Sequence, residues 1–292
     1  MTETGVHVRP TWVDDEMFPF QSRFVEIDGH TVHYVDEGSG PTLLFLHGNP
    51  TWSFLFRDVI RELRAGFRCI ALDYPGFGLS VPAPGYRFLP EEHADVVAGF
   101  VDALGLTGLT LVGQDWGGPI GLAVAQRHPK LFSRLVLANT WAWPVNGELH
   151  FQAFSRVMGN PVTALLVRRL NMLVRAFIPT GHRLRKVTSA ELDHYLRAQD
   201  TPARRQAAAV LPRRVLASGE FFAGIENGLD SVRHLPTLII WGDADIAFRT
   251  KERERLEREF PESQTVIIEG AGTYPESDAP EEFVAGIRNW MI

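Results

Sequence analysis

Leu109-Thr-Leu-Val-Gly-Gln-Asp-Trp-Gly-Gly-Pro-Ile120 reads as a buried strand, a very tight turn and the start of a helix. Leu109 to Gly113 suits a parallel strand covered on both faces, and Pro119 to Gln126 can continue as a helix. Between them stands Gly113-x-Asp115-x-Gly117, the shape of a nucleophile elbow with a carboxylate where a serine commonly sits. Side chains at 113 and 117 would collide with the neighbours of so tight a turn, hence the two glycines. The turn carries Asp115 to the head of the sheet. A carboxylate attacking saturated carbon gives an alkyl ester, so the pattern points to opening of a carbon–halogen bond or an epoxide rather than amide or ester cleavage.

Working outward, residues 24–27 and 31–35 alternate around Asp28-Gly29, a hairpin signal. Thr42 to Leu46 is a continuous apolar strand that runs into His47-Gly48-Asn49-Pro50. Trp52 to Leu63 reads as helix, Arg68 to Leu72 as a second buried strand, and Pro90 to Leu104 as a helix with an acidic first turn. Leu135 to Ala138 follows the elbow. From Trp141 to Asn227 the periodicity is helical with no convincing strand. Alternation resumes with Thr237 to Gly242, a helix near 251–259, the strand Thr265 to Ile268 and a last helix from Pro280. Alternating strands and helices imply an α/β class, with a mostly parallel central sheet flanked by helices. The all-helical stretch is expected to be an inserted cap over the catalytic face. The boundaries are 1–139 and 230–292 for the main domain and 140–229 for the helical cap.

Composition narrows the function. A chain of 292 residues with 45% hydrophobic and 22% charged residues suits a large globular core. A formal charge of −6 argues against nucleic acid or an anionic membrane as partner. Arginines at 168–186 and 204–214 are mixed with apolar residues at helical spacing and read as a solvated helix face. The lone Cys69 excludes an internal disulfide and reads as a small buried hydrophobe. Glu3, His7, Arg9, Asp14 and Asp15 interrupt the N-terminus, so no signal-peptide core is expected. No apolar run approaches the ~18–20 residues that cross a bilayer. These features set the expectation of a cytoplasmic protein without membrane, metal or cofactor.

The loop after the third strand should lie beside the elbow and offer backbone N–H groups to an anionic site. Asn49 adds an amide donor, and Trp116 adds an indole N–H that can only donate. Two neutral donors aimed at one point suit a departing halide, a large and weakly basic anion. An epoxide oxygen needs a proton from an acid such as tyrosine, and Tyr195 is the only tyrosine of the cap segment.

His47-Gly-Asn-Pro-Thr-Trp-Ser-Phe, Asp73-Tyr-Pro-Gly-Phe-Gly-Leu-Ser and Gly113-Gln-Asp-Trp-Gly-Gly-Pro resemble the haloalkane dehalogenases of the α/β-hydrolase superfamily. Asn139-Thr-Trp-Ala-Trp-Pro144 and Ala153-Phe-Ser-Arg-Val-Met158 resemble the start of the cap in their third subfamily. The likeness extends from about residue 18 to 290, and the Asn49–Trp116 pair separates this group from epoxide hydrolases and fluoroacetate dehalogenases. It implies that Asp115 displaces halide in line, that Asn49 and Trp116 hold the departing anion, and that a histidine-activated water hydrolyses the alkyl ester. It also implies that Asp245 is the carboxylate orienting that histidine, with Asp243 its competitor. The partners implied are a small apolar halogenated substrate and a halide ion, with homo-oligomers among relatives.

One position departs from the pattern. The base histidine should stand in a segment like Gly-Ala-x-His-Phe-x-x-Glu-Asp-x-Pro, but the chain has Gly270-Ala-Gly-Thr-Tyr-Pro-Glu-Ser-Asp-Ala-Pro280, with Thr273 at the histidine and Ser277 at the glutamate. The histidines are at 7, 30, 33, 47, 93, 128, 150, 182, 194 and 234, none beyond the strand that starts at Thr237. Two changed positions read as natural divergence rather than a single trapping substitution. Halide displacement needs Asp115 and its donors, whereas ester hydrolysis needs a base, whose loss costs on the order of 10²–10⁴ in rate. The first step is therefore expected to survive and the second to be slow or lost. Asp245 acting through water is the favoured replacement base, ahead of Glu276 and Tyr274. The alternatives are epoxide hydrolysis, a non-hydrolytic rearrangement that never needed the base, and a non-catalytic binder of small molecules. Phe54, Trp141, Phe151, Phe154 and Phe177 are candidates for the pocket wall.

Overall fold

A computed structural model describes residues 8–291; Glu3 and His7 of the N-terminal reading lie outside them. Eight strands form one sheet in the order β1-β2-β4-β3-β5-β6-β7-β8. β1 (Arg23–Ile27) and β2 (His30–Glu37) make the antiparallel hairpin expected at Asp28-Gly29, where both residues take positive φ. β2 also runs antiparallel to β4 (Arg68–Leu72). All other pairings are parallel: β3 (Thr42–Leu46) with β4 and with β5 (Leu109–Gln114), then β6 (Phe132–Ala138), β7 (Thr237–Gly242) and β8 (Gln264–Ile268) in succession.

Strand periodicity explains the two cores. Leu44, Leu46, Ile70, Leu72, Leu109 and Leu111 face one side of the sheet. Leu43, Phe45, Cys69, Ala71 and Val112 face the other. Covered on both faces, β5 is buried along its whole length, which is why it reads as a continuous apolar run. The first side packs against α2 (Pro90–Ala103), α3 (Gly117–Arg127) and α10 (Thr250–Glu259); the second packs against α1 (Arg57–Leu63) and the C-terminal helix Pro280–Met291. The helix expected over Trp52–Leu63 begins as a 3-10 turn at Ser53–Phe56 and becomes α-helical only at Arg57.

Between β6 and β7 lie six α-helices, a short 3-10 turn (Leu229–Ser231) and no strand: α4 (Leu149–Met158), α5 (Pro161–Leu170), α6 (Met172–Gly181), α7 (Ser189–Ala198), α8 (Gln206–Ala217) and α9 (Gly219–Gly228). Arg168 and Arg169 are exposed, as a solvated helix face requires. Arg205 differs from that reading. Its guanidinium donates to the carbonyls of Gln199, Asp200, Arg168 and Arg169, so it ties the ends of α5 and α7 together. Among the described residues no helix is long and apolar enough to cross a membrane.

Candidate active site

The elbow is built by close backbone approaches. A Cβ on Gly117 would lie 1.9 Å from the Leu46 carbonyl oxygen, and one on Gly48 would lie 2.4 Å from the Asp115 Cβ. Neither position tolerates a side chain. Asp115 itself has φ 49°, a left-handed conformation that costs a non-glycine residue energy and is held by its surroundings. Its N–H donates to the Asn139 carbonyl at 3.1 Å, and its carbonyl accepts from Thr140 Oγ1 at 2.6 Å. The carboxylate accepts from the Asn49 N–H at 2.8 Å and from the Trp116 N–H. Burial pushes its pKa up to about 8, the two N–H groups oppose that rise, and the charge of Asp245 adds to it.

Asp115, Asn49 and Trp116 line one cavity of about 280 Å³. Its wall is largely aromatic: Trp141, Phe151, Phe154, Phe177 and Phe248. Phe54 is not part of it; that ring stacks on Trp52 and His194, at 5.5 and 4.8 Å between centroids, inside the core beside α1. The Trp116 ring meets Trp141 edge-on at 5.0 Å. Its indole N–H has no protein acceptor among the described residues. The Asn49 amide is differently engaged from the expectation. Nδ2 donates to the Ala208 carbonyl of α8 at 3.3 Å, and buried Oδ1 has no partner. One amide hydrogen is thus committed to the helical segment and one is left over.

Asp245 follows β7 and is buried. Its Oδ1 accepts from the Ala247 N–H at 2.7 Å and from Thr273 Oγ1 at 2.8 Å; its Oδ2 accepts from Asn139 Nδ2 at 2.9 Å. Burial outweighs these donors and raises its pKa. Asp243 is exposed and is spent on the Gly270 N–H at 2.7 Å. Thr273 lines the cavity, and its hydroxyl makes the bond to Asp245 that a ring N–H would make. Its backbone is fixed on both sides: N–H to the Gly181 carbonyl at 2.8 Å, and carbonyl to Gln114 Nε2 at 2.9 Å.

Among the described residues no histidine bonds to Asp245. His47 is fully buried, bonded to the Gly48 carbonyl and the Tyr74 N–H, and burial lowers its pKa to about 4. His150, at the start of α4, does line the cavity, a placement that the sequence did not signal because it depends on how α4 packs. Its Nε2 is 3.8 Å from Glu252 Oε1. Glu148, His150 and Glu252 bring ligand atoms within 4.8 Å of one another, but the Lys251 ammonium pairs with Glu148 and lies 3.7 Å from Glu252. That ammonium already supplies the compensating charge.

The base-position loop is clamped to the chain after α6. The Asp278 carboxylate accepts N–H groups from Arg183, Leu184 and Arg185 and from Gly272. Ser277, where the resemblance expects glutamate, sits between His182 Nε2 at 3.0 Å and Arg185 Nη2 at 2.9 Å. Arg185 and Arg57 both pair with Glu191.

Comparison with known proteins gives consistent results. A family model described as alpha/beta hydrolase fold matches residues 41–275. Haloalkane dehalogenase 2 of Mycobacterium tuberculosis (strain ATCC 25618 / H37Rv) is 42% identical over 276 residues, covering 94% of this chain and 96% of that protein. A cis-3-alkyl-4-alkyloxetan-2-one decarboxylase of Shewanella oneidensis is 28% identical over 95% of this chain and 90% of that protein. Among solved structures, a haloalkane dehalogenase from Bradyrhizobium elkani USDA94 superimposes with a TM-score of 0.85 at 23% identity, over 93% of this chain and 97% of the other.

Proposed function

Because the chain belongs to the haloalkane dehalogenases of the α/β-hydrolase fold, we propose that Asp115 opens carbon–halogen bonds of small apolar haloalkanes and that the resulting alkyl ester is hydrolysed slowly. The observation that carries this reading is the pairing of a buried, N–H-held carboxylate at the head of the sheet with a hydroxyl, Thr273, at the base position. The six helices between β6 and β7 act as the cap, residues 140–229, whose aromatic rings keep the cavity dry. Self-association of the chain is part of the same proposal.

In the first step an Asp115 oxygen forms a bond to carbon as the halide leaves on the opposite side. The Trp116 indole N–H and the free hydrogen of the Asn49 amide stabilise the anion. None of these groups changes its proton, so position 273 plays no part. In the second step a water must lose a proton while attacking the ester. Thr273 cannot hold that proton, since its hydroxyl is an ordinary neutral alcohol. It can accept from the water and pass its own hydrogen to Asp245, whose raised pKa makes it a better base than an exposed aspartate. Asp245 then does at longer range what an imidazole would do directly.

The test uses 1-bromohexane. A stoichiometric burst of bromide and an alkyl adduct on Asp115 are expected, followed by turnover ~10²–10⁴-fold below the burst rate. Thr273→His should raise the second rate toward the first, and Asp245→Asn should abolish what slow hydrolysis remains. Burst-free, steady release faster than that bound would refute the assignment.

A second reading has one specific support: a relative named as a β-lactone decarboxylase, together with a threonine rather than a histidine at the base position. Asp115 attack on the ring carbon bearing oxygen would break that C–O bond and free the ring carboxylate. Loss of CO2 would then form the alkene and expel Asp115, with no water consumed. Alkene release from a dialkyl β-lactone, without bromide release from haloalkanes, would favour it.

A further inference from the structure

Tyr274 follows the base position directly, and where the resemblance expects phenylalanine it adds a hydroxyl. The ring is pinned in place. A Cβ on Gly181 would fall 2.4 Å from Tyr274 Cε2, and the His182 ring lies 5.3 Å away at 37°. The side chain is 2% exposed, yet it lines the cavity that holds Asp115, Trp116 and Thr273. Buried phenols ordinarily find a hydrogen-bond partner. The Tyr274 hydroxyl has none among the described residues. Tyr74 and Tyr195 are buried and unpaired too, but neither lines the cavity. Tyr195, the one tyrosine of the cap segment, packs instead against Phe54 at 5.3 Å.

A halide leaves as a weak base and needs only neutral donors. An epoxide oxygen leaves as an alkoxide and needs a proton. Trp116 and Asn49 cannot give one up; a phenol can, because an alkoxide is a far stronger base than a phenolate. We propose a second activity of this cavity, the ring-opening of small terminal alkyl epoxides, with Asp115 as nucleophile and Tyr274 as proton donor. The proposal rests on the reading of Asp115 as a nucleophile. An Asp115 oxygen bonds to the terminal carbon and the ring C–O bond breaks. The electron pair goes to the ring oxygen, which takes the Tyr274 proton, and the phenolate regains a proton from solvent. The product is a hydroxyalkyl ester of Asp115. Burial, reinforced by the charge of Asp115, holds the phenol well above its ordinary pKa, so it stays a protonated donor at working pH.

The full chain and its Tyr274→Phe variant are each treated with 1,2-epoxyhexane and with 1-bromohexane, and adducts are followed by intact mass and peptide mapping. The wild type should gain one epoxide equivalent on Asp115. The ratio of epoxide rate to bromide rate should fall ~10²-fold or more in Tyr274→Phe. A solvent deuterium isotope effect should accompany the wild-type epoxide reaction and be absent from bromide release. An unchanged ratio, or a bromide burst with no epoxide adduct, overturns the role of Tyr274. Failure of both reactions overturns the nucleophile reading and this proposal with it.

Discussion

At Asp115, the proposed nucleophile, the burial that surrounds the site with apolar side chains disfavours the charged carboxylate. With its pKa near 8, most of the carboxyl is protonated at neutral pH and cannot attack carbon. The bromide burst rate should therefore rise about tenfold per pH unit below that value and level off above it. Stopped-flow bromide release across this range checks it; a flat profile would mean the carboxylate is better solvated than its surroundings imply. Stability has the opposite sign. The native state keeps protons on Asp115, Asp245 and Glu276 that the unfolded chain gives up near its ordinary carboxylate values, so these groups stabilise at low pH and lose that contribution as pH rises. Buried His47, held neutral with a pKa near 4, acts in the other direction, but only up to the ordinary histidine value of 6.5. Above that, the acids alone remain. The unfolding free energy from urea titration should fall as pH rises toward about 8, by on the order of 1 kcal/mol per pH unit from Asp115, and Asp115→Asn should flatten that part of the slope.

At the scale of elements, the elbow is the least forgiving. Gly117→Ala drives a methyl into the Leu46 carbonyl, which is backbone and cannot turn aside. A loss of about 3 kcal/mol or more is expected, read from chemical denaturation. The elements themselves were legible wherever a local rule dominates. Asp28-Gly29 announces the hairpin, and the buried run from Leu109 announces β5. The outcome differs where packing decides. The helix Pro275–Asp278 is one turn held by tertiary contacts, with no periodicity to find. Phe54 has the composition of a pocket wall but packs in the core against Trp52 and His194. The acceptor of the Asn49 amide, Ala208, lies 159 residues further along the chain, beyond the reach of any local pattern. Asp278→Ala would leave four backbone N–H groups without their acceptor. Charged hydrogen bonds of this kind contribute about 1.5–3 kcal/mol each when broken singly. The melting temperature should drop by several degrees, with faster hydrogen exchange confined to residues 181–185 and 272–278.

For the whole molecule, the pieces of the candidate site are drawn from loops after β3, β5, β7 and β8 and from the helices between β6 and β7. A parallel sheet collects such loops at one end of its strands, which is why Asp115, Asp245 and Thr273 meet although they are far apart in the chain. The elbow pattern alone nominates Asp115, whereas Asp245 and Thr273 are nominated only through the resemblance to the dehalogenase pattern. His150, Arg183 and Tyr274 were not nominated as wall residues, because their position depends on the path of the intervening helices. The clamp at Asp278 couples these two sources. The same carboxylate grips the segment that follows α6, on the cavity rim, and the turn that carries residue 273. Any outward shift of the cavity wall at Arg183 must pull on the turn that carries Thr273. If Thr273 relays the water's proton as proposed, the size of guest admitted and the rate of that relay are mechanically linked through one carboxylate.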